Sequence, residues 1–122
     1  MTEDISIYIP AYNAEKTIKE CIDSILIQTI KPKKILVIND NSIDKTMNLL
    51  LGYGDKIEII TNKKNMGVGF ARNLAFNHLQ SKYIASIDAD VELSSQWIEI
   101  LINKLTQEKI TLIGGRMHEK FI

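Results

Sequence analysis

The sequence of 122 residues has little cysteine and no excess charge of either sign: one thiol, Cys21, and 15 Lys and Arg against 15 Asp and Glu. A lone cysteine excludes an internal disulfide and a cysteine-rich zinc cluster. Zero net charge disfavours nucleic-acid binding, which usually needs a basic excess, so we expect no nucleic-acid partner. Because Cys21 falls in an apolar helical stripe, we expect a buried, inert thiol.

Long apolar runs are also lacking. None approaches the roughly 20 residues that a membrane span requires. The acidic start, Met1 to Asp4, is unlike a secretory signal. These features predict a cytoplasmic protein, a location that includes the inner face of the membrane for a peripheral protein. Two prolines, six glycines and 25% charged residues are typical of a globular chain. Its length fits one domain, residues 1–122, that can bury a core without a disulfide or a structural metal.

What is present is a repeated change of hydrophobic period. Short β-branched runs alternate with amphipathic stretches whose apolar residues recur every three or four positions. This alternation predicts an α/β fold, with a mostly parallel sheet covered by helices on both faces. The predicted strands are 5–9, 35–38, 57–60, 83–87 and 110–113, and the predicted helices are 13–29, 42–51, 70–79 and 94–105. Asn13 is a candidate cap for the first of these helices.

Acids and amides follow several of the strands. Asn13 comes after the first, Asp40 after the second, and Asp88 and Asp90 after the fourth. In parallel sheets, ligands bind outside the carboxyl ends of the strands, where the strand order reverses. Two carboxylates separated by one residue can hold Mg²⁺ or Mn²⁺, which also bind phosphate oxygens. The structural alternative is that one of the two aspartates only caps the turn.

Three other features have both a functional and a structural interpretation. Asp40 could accept a hydrogen bond from a bound base, or form an Asx-turn or a helix cap. The glycines of the loop at 65–69 allow close approach to a ligand, or belong to an ordinary strand-to-helix loop. Arg72, near a helix N-terminus, suggests an anionic partner such as Asp88, Asp40 or a phosphate, or is simply solvated. His78 and Trp97 lie on apolar stripes and are expected to be packed.

Four segments together resemble family 2 glycosyltransferases of the GT-A fold. They are 7–13 (IYIPAYN), 35–46 (ILVINDNSIDKT), 65–73 (NMGVGFARN) and 87–90 (IDAD). Each segment alone is weak, but the four in this order cover nearly the whole chain. Asn39 and Asn41 stand where the family often has Asp and Gly, and Ile43 replaces a small polar residue. Asp40 keeps its place.

The resemblance implies an inverting sugar transferase that uses a UDP- or GDP-linked sugar donor with Mn²⁺ or Mg²⁺. Asp40 would bind the base, Asp88 would approach the ribose and metal, and Asp90 would coordinate the metal between the two phosphates. The nucleotide-binding set implied by position is Pro10, Ala11, Tyr12, Asn13, Asp40, Gly67, Arg72, Asp88 and Ala89, and the implied metal ligands are Asp90 and Asp88.

Family members continue with an acceptor-binding half that supplies the general base. We therefore expect residues 1–122 to be the nucleotide-binding half, with the base outside this chain and little transfer by the chain alone. The acceptor would be a glycan, a lipid or another hydroxyl compound. An apolar face that the second half normally covers would favour self-association.

Three other classes compete. Asp88 to Val91 resembles the nucleophile motif of haloacid dehalogenase-type phosphatases. That motif normally opens a domain, however, and only 32 residues follow Asp90 here. A nicotinamide-binding domain would need a glycine-rich turn after the first strand. A non-catalytic interaction module predicts no nucleotide binding at all.

Overall fold

The computed structural model describes residues 4–107 and 116–119. Strands and helices alternate through most of the chain, as the change of hydrophobic period predicts. The elements are β1 (Ile5–Ala11), α1 (Ile18–Leu26), β2 (Ile35–Asn39), α2 (Thr46–Leu51), β3 (Glu58–Thr61), α3 (Val68–His78), β4 (Tyr83–Ser86), α4 (Trp97–Gln107) and β5 (Arg116–Glu119). A single 3₁₀ turn, Gly54–Lys56, precedes β3. Within the described residues, no helix has the length and apolar content needed to cross a lipid bilayer.

The five strands form one sheet in the order β3-β2-β1-β4-β5. Neighbouring pairs among the first four strands are parallel, and β5 runs antiparallel to β4. The chain therefore adds β2 and β3 on one side of β1 and then places β4 and β5 on its other side. The strand order reverses between β1 and β4, which is where such sheets bind ligands.

Helices cover both faces of the sheet, and each face has its own core. On one face, α1, α2 and α4 pack against alternate residues of β1, including Ile7 and Ile9, and Trp97 belongs to this core as expected. On the other face, Ala71, Ala75 and Leu79 pack against Tyr8 and its neighbours. We call this second face the α3 face. The predicted α/β fold with a mostly parallel sheet is confirmed.

Strand β1 runs through Pro10, although the sequence predicts that it stops before it. Backbone bonds on the β2 side involve Ile7 and Ala11, whereas the carbonyl of Tyr8 accepts from Ile87 on the β4 side. Pro10, two residues after Tyr8, therefore turns its nitrogen to the β4 side. Pairing with β4 ends at Tyr8, so the proline leaves no ladder bond unmade. A gap opens between β1 and β4 at this point.

The last strand differs from the sequence prediction. The predicted strand 110–113 lies outside the described residues, and the strand that follows α4 in the structure is β5, at Arg116–Glu119. It is the one antiparallel member of the described sheet. An antiparallel edge strand on an otherwise parallel sheet is common in folds of this class.

Candidate functional site

The loop after β1 is fixed to the loop after β2. Asn13 has a positive φ of 48°, and its N–H donates to Ser42 Oγ at 3.0 Å. Its side-chain Oδ1 accepts from the N–H of Ile43 at 2.9 Å. The N–H of Ala14 donates to Thr46 Oγ1 at 2.8 Å. Asn13 therefore joins two loops, and the prediction that it caps a helix is wrong, because its side chain is bonded across to Ile43.

Asp40 organises the loop before α3. Its carboxylate is 7% exposed. Oδ1 accepts from Asn62 Nδ2 and from the N–H of Met66, both at 2.8 Å, and Oδ2 accepts from the N–H of Gly67 at 2.9 Å. Burial raises the pKa of this carboxyl, but the three donors, Asn62 first, outweigh burial and hold the pKa below its ordinary value of 3.8. The group is neither an Asx-turn nor a cap of the next helix.

One acceptor position remains on Asp40. A carboxylate offers about four lone-pair directions, and three are occupied by the protein. The fourth belongs to Oδ2, which bonds only Gly67. An N–H group of a ligand could therefore still bind Asp40 without breaking the loop.

Two adjoining cavities lie at the carboxyl edge of the sheet, and we call them together the edge cleft. The first, of about 220 Å³, contains Tyr12, Asp40 and Gly67. The second, of about 320 Å³, contains Arg72 and Asp88. Pro10 and Val68 line both, so the cleft is continuous across the gap between β1 and β4. The cleft therefore brings together residues that are 76 positions apart in the sequence, from Tyr12 to Asp88.

The edge cleft takes in most of the nucleotide-binding set named above. Tyr12 has 53% of its surface exposed and offers its ring to a ligand. Ala11 lines the first cavity but packs mainly in the core beneath α1, α2 and α4. Asn13 lies beyond it in the loop contact to Ile43. Ala89 is half-buried against the same core as Ala11.

Asp90 faces a different cavity from Asp88. Asp90 lines a space of about 210 Å³ beside α1, together with Lys16, Glu20 and Cys21. Cys21 also contacts the turn that carries the two aspartates, since its Sγ donates to the backbone oxygen of Asp88 at 3.5 Å. Burial, followed by the negative charges of Asp90 and Asp88, raises the pKa of the Cys21 thiol to about 12. The expected burial of this thiol is confirmed.

The two aspartates are compatible with a hard cation. Both side chains are exposed, and no ion pair involves either of them within the described part of the chain. No group of three or more His, Cys, Asp or Glu side chains able to hold a metal occurs among residues 4–107. Asp88 and Asp90 each offer an oxygen ligand, one in each of two cavities, and a cation held by either would need water or a ligand's phosphates to complete its coordination, as is usual for Mg²⁺.

Arg72 and His78, which both lie on α3, differ in their contacts. Arg72 is exposed at the edge cleft and forms no ion pair with Asp40, Asp88 or any other described residue. His78, at the other end of α3, is not packed as predicted. Its side chain is 37% exposed, and Nε2 lies 2.6 Å from Glu58 Oε2. The edge strand β3 brings a carboxylate beside this histidine, so a hydrogen bond replaces the expected apolar contact.

The sequence reasoning missed Asn62, Tyr8 and Ser86. Asn62 follows β3 at the carboxyl edge, the same position as Asp40 after β2, and this signal was available. Tyr8 and Ser86 occupy strand positions that read as core in the sequence, yet they line the second cavity. Their role depends on the gap between β1 and β4, which no local pattern reveals.

Comparison with known proteins identifies the family of this chain. The family model for glycosyl transferase family 2 matches residues 6–121. A UDP-Glc:alpha-D-GlcNAc-diphosphoundecaprenol beta-1,3-glucosyltransferase, WfgD of Escherichia coli, is 34% identical over 112 residues, covering 91% of this chain and 44% of its own length. The chain spans less than half the length of the curated relatives that it matches.

Solved structures share the fold. TarS 1-349 of S. aureus in complex with UDP-GlcNAc superimposes with a TM-score of 0.73 at 23% identity, over 81% of this chain and 30% of that one. The mannosyltransferase PcManGT of Pyrobaculum calidifontis, in complex with GDP-Man and Mn2+, gives 0.65 at 20% identity, over 75% and 29%. With the family match across nearly its whole length, the chain belongs to glycosyl transferase family 2.

Proposed function

We propose that this chain binds a nucleotide-diphospho-sugar donor, linked to UDP or GDP, in the edge cleft. The observation that carries the proposal is the continuity of the cleft from Tyr12 and Asp40 to Arg72 and Asp88 across the gap between β1 and β4. Tyr12 supplies an aromatic surface for a base, and Asp40 keeps one acceptor for a base N–H. The solved structures with UDP-GlcNAc and GDP-Man support this donor class.

A divalent cation, Mn²⁺ or Mg²⁺, is part of the proposal. Asp90, and beside it Asp88, would hold the ion, because their oxygens are free for a hard metal. When bound, such an ion neutralises charge that develops on a leaving diphosphate. The mannosyltransferase complex that contains Mn2+ supports a metal in this fold. The loop held by Asp40 orients the nucleotide beside it.

Transfer itself would be inverting, onto a glycan, lipid or other hydroxyl acceptor. We propose that acceptor binding and the general base require residues beyond these 122, since the relatives that it matches are more than twice as long. The chain alone would then bind the donor without sustained transfer. We place this activity in the cytoplasm, including the inner face of the membrane. The phosphatase alternative, with Asp88 as nucleophile, is not favoured by the family match.

Calorimetry tests donor binding directly. UDP and GDP are each titrated into the chain with Mn²⁺, with Mg²⁺ and with neither ion. We expect heat from one nucleotide, with tighter binding when a divalent ion is present. ATP serves as the control nucleotide. Absence of heat from both UDP and GDP at millimolar concentration contradicts the proposal and favours an interaction module.

A further inference from the structure

The second cavity of the edge cleft contains two hydroxyl groups that the proposed function leaves unused. Tyr8 on β1 and Ser86 on β4 are register partners, so they lie side by side on the α3 face. The two residues are 3% and 6% exposed. Neither hydroxyl has a hydrogen-bond partner among the described residues, and neither oxygen is sealed from the cavity. Buried hydroxyls normally find partners, so these two are available to a ligand.

The walls around these hydroxyls indicate what kind of ligand fits. Arg72 only donates hydrogen bonds and Asp88 only accepts them, whereas the two hydroxyls can do both. A diphosphate accepts hydrogen bonds and donates none, so by itself it satisfies Arg72 but not Asp88. An uncharged ring with several hydroxyls can satisfy all four groups at once.

The apolar part of the cavity agrees with a ring. Pro10 and Val68 contribute carbon surfaces on which the C–H faces of a sugar can pack. The space of about 320 Å³ is at the lower end of small-molecule sites and has room for one such ring. The cavity opens into the part of the cleft that holds Tyr12 and Asp40, so a ring bound here can belong to the same ligand as a base bound there.

We propose that Tyr8 and Ser86 position an uncharged sugar ring of the donor in the second cavity. This inference rests on the proposed function, because the ring would be either the ribose of the nucleotide or the sugar to be transferred. Both sources present the same chemistry, a ring with neighbouring hydroxyls. The two residues act by binding and orienting, and neither is assigned a chemical step.

The test compares Tyr8→Phe and Ser86→Ala with the wild type, each variant losing one hydroxyl and no carbon framework of the sheet. Tyr83→Phe is the matched control, since Tyr83 lies at the opposite end of β4 and does not line the cleft. Calorimetry measures UDP and UDP-GlcNAc, or GDP and GDP-Man, according to the nucleotide that the wild type binds. Each lost hydroxyl is expected to weaken binding by about 3- to 10-fold.

The pattern of losses separates the two sources. If the ring is ribose, both variants bind the nucleoside diphosphate more weakly. The wild type then binds the 2′- or 3′-deoxy analogue more weakly than the nucleotide itself, whereas the variants bind the two with nearly equal affinity. If the ring is the transferred sugar, the variants bind the nucleoside diphosphate like the wild type and lose affinity only for the nucleotide-sugar. Either pattern supports the inference.

Three results overturn it. Wild-type affinity of both variants for both ligands rejects the inference and leaves the proposed function standing, as does an equal loss in Tyr83→Phe. No nucleotide binding by the wild type rejects both. Thermal unfolding of each variant accompanies the titrations. If Tyr8→Phe unfolds at the assay temperature, Ser86→Ala decides.

Discussion

Asp40 shows how far a single residue can be interpreted from its sequence context. Its place after a buried strand predicts a carboxylate at the ligand edge, and the structure puts it there. The sequence does not reveal its three donors, because Asn62, Met66 and Gly67 come 22 to 27 positions later and meet Asp40 only in the folded sheet. The prediction that His78 is packed is wrong for the same reason. Its partner Glu58 lies 20 residues away on another element.

Replacing Asp40 by Asn should lower the free energy of unfolding by about 1–3 kcal/mol, because an amide NH₂ replaces one acceptor and faces a backbone N–H. Urea unfolding at neutral pH measures the difference. Asp55→Asn, at an exposed position, is the control. An Asp40→Asn variant as stable as the wild type contradicts the role given to this carboxylate.

The contribution of Asp40 to the free energy of unfolding should also depend on pH. Its folded pKa lies below the ordinary 3.8, so its stabilisation is complete above that value and is lost as pH falls through the lower folded pKa. The difference between wild type and Asp40→Asn should therefore shrink below about pH 3.8. Urea unfolding repeated from pH 7 to pH 2.5 follows this change.

Asp90→Ala should abolish the enhancement of nucleotide binding by Mn²⁺ and leave thermal unfolding unchanged, because the side chain is exposed. Calorimetry with and without the ion measures the effect. Glu92→Ala is a strict control, since this acid lines the same cavity. Equal loss of the Mn²⁺ enhancement in the two variants would mean that the summed negative charge of the cavity attracts the ion, and not Asp90 in particular.

At the scale of elements, the bounds of the strands and the start of α3 illustrate what local sequence patterns do and do not specify. Apolar runs predict β1 to β4 to within two residues at either end. β5 is not predicted in this way, because Arg-Met-His-Glu contains no apolar run. It is a strand because it pairs with β4. The loop before α3 is predicted to be glycine-bearing, but its shape depends on Gly67, whose φ of 86° and ψ of 173° suit glycine almost alone.

Gly67→Ala should therefore lower the free energy of unfolding by about 1–3 kcal/mol through backbone strain. No heavy atom lies within 4 Å of the added carbon, so crowding does not contribute. Gly69→Ala should act in the opposite direction, by up to about 1 kcal/mol, because Gly69 is helical and also has open space. Chemical denaturation of both variants measures the contrast, and a destabilised Gly69→Ala contradicts it.

For the whole molecule, the sequence predicts the architecture well because an alternating pattern of strands and helices has few compact solutions. The residues after β1, β2 and β4 predict where the edge cleft lies, but they do not predict its shape. Its continuity depends on where β1 and β4 separate, and the two aspartates proposed to hold a cation line separate cavities, although their spacing alone would place them together.

Exposed apolar side chains gather at the same edge: Tyr12, Ile43, Val68 and Phe70. We expect weak self-association of the isolated chain through them. Light scattering across a concentration series should show a rising apparent mass that Ile43→Asp reduces. Leu51→Asp, which changes another exposed apolar residue at the C-terminal end of α2, is the control. A constant monomer mass at millimolar concentration contradicts the expectation.

The hydrogen bonds that join the loops after β1 and β2 have a thermodynamic consequence. Tyr12 stands next to Asn13, whose contacts with Ser42 and Ile43 restrain the loop before any ligand arrives. The aromatic wall is thus preorganised, and little conformational entropy is lost there upon association. The ordering penalty should therefore fall mainly on exposed side chains of the cleft, such as Arg72.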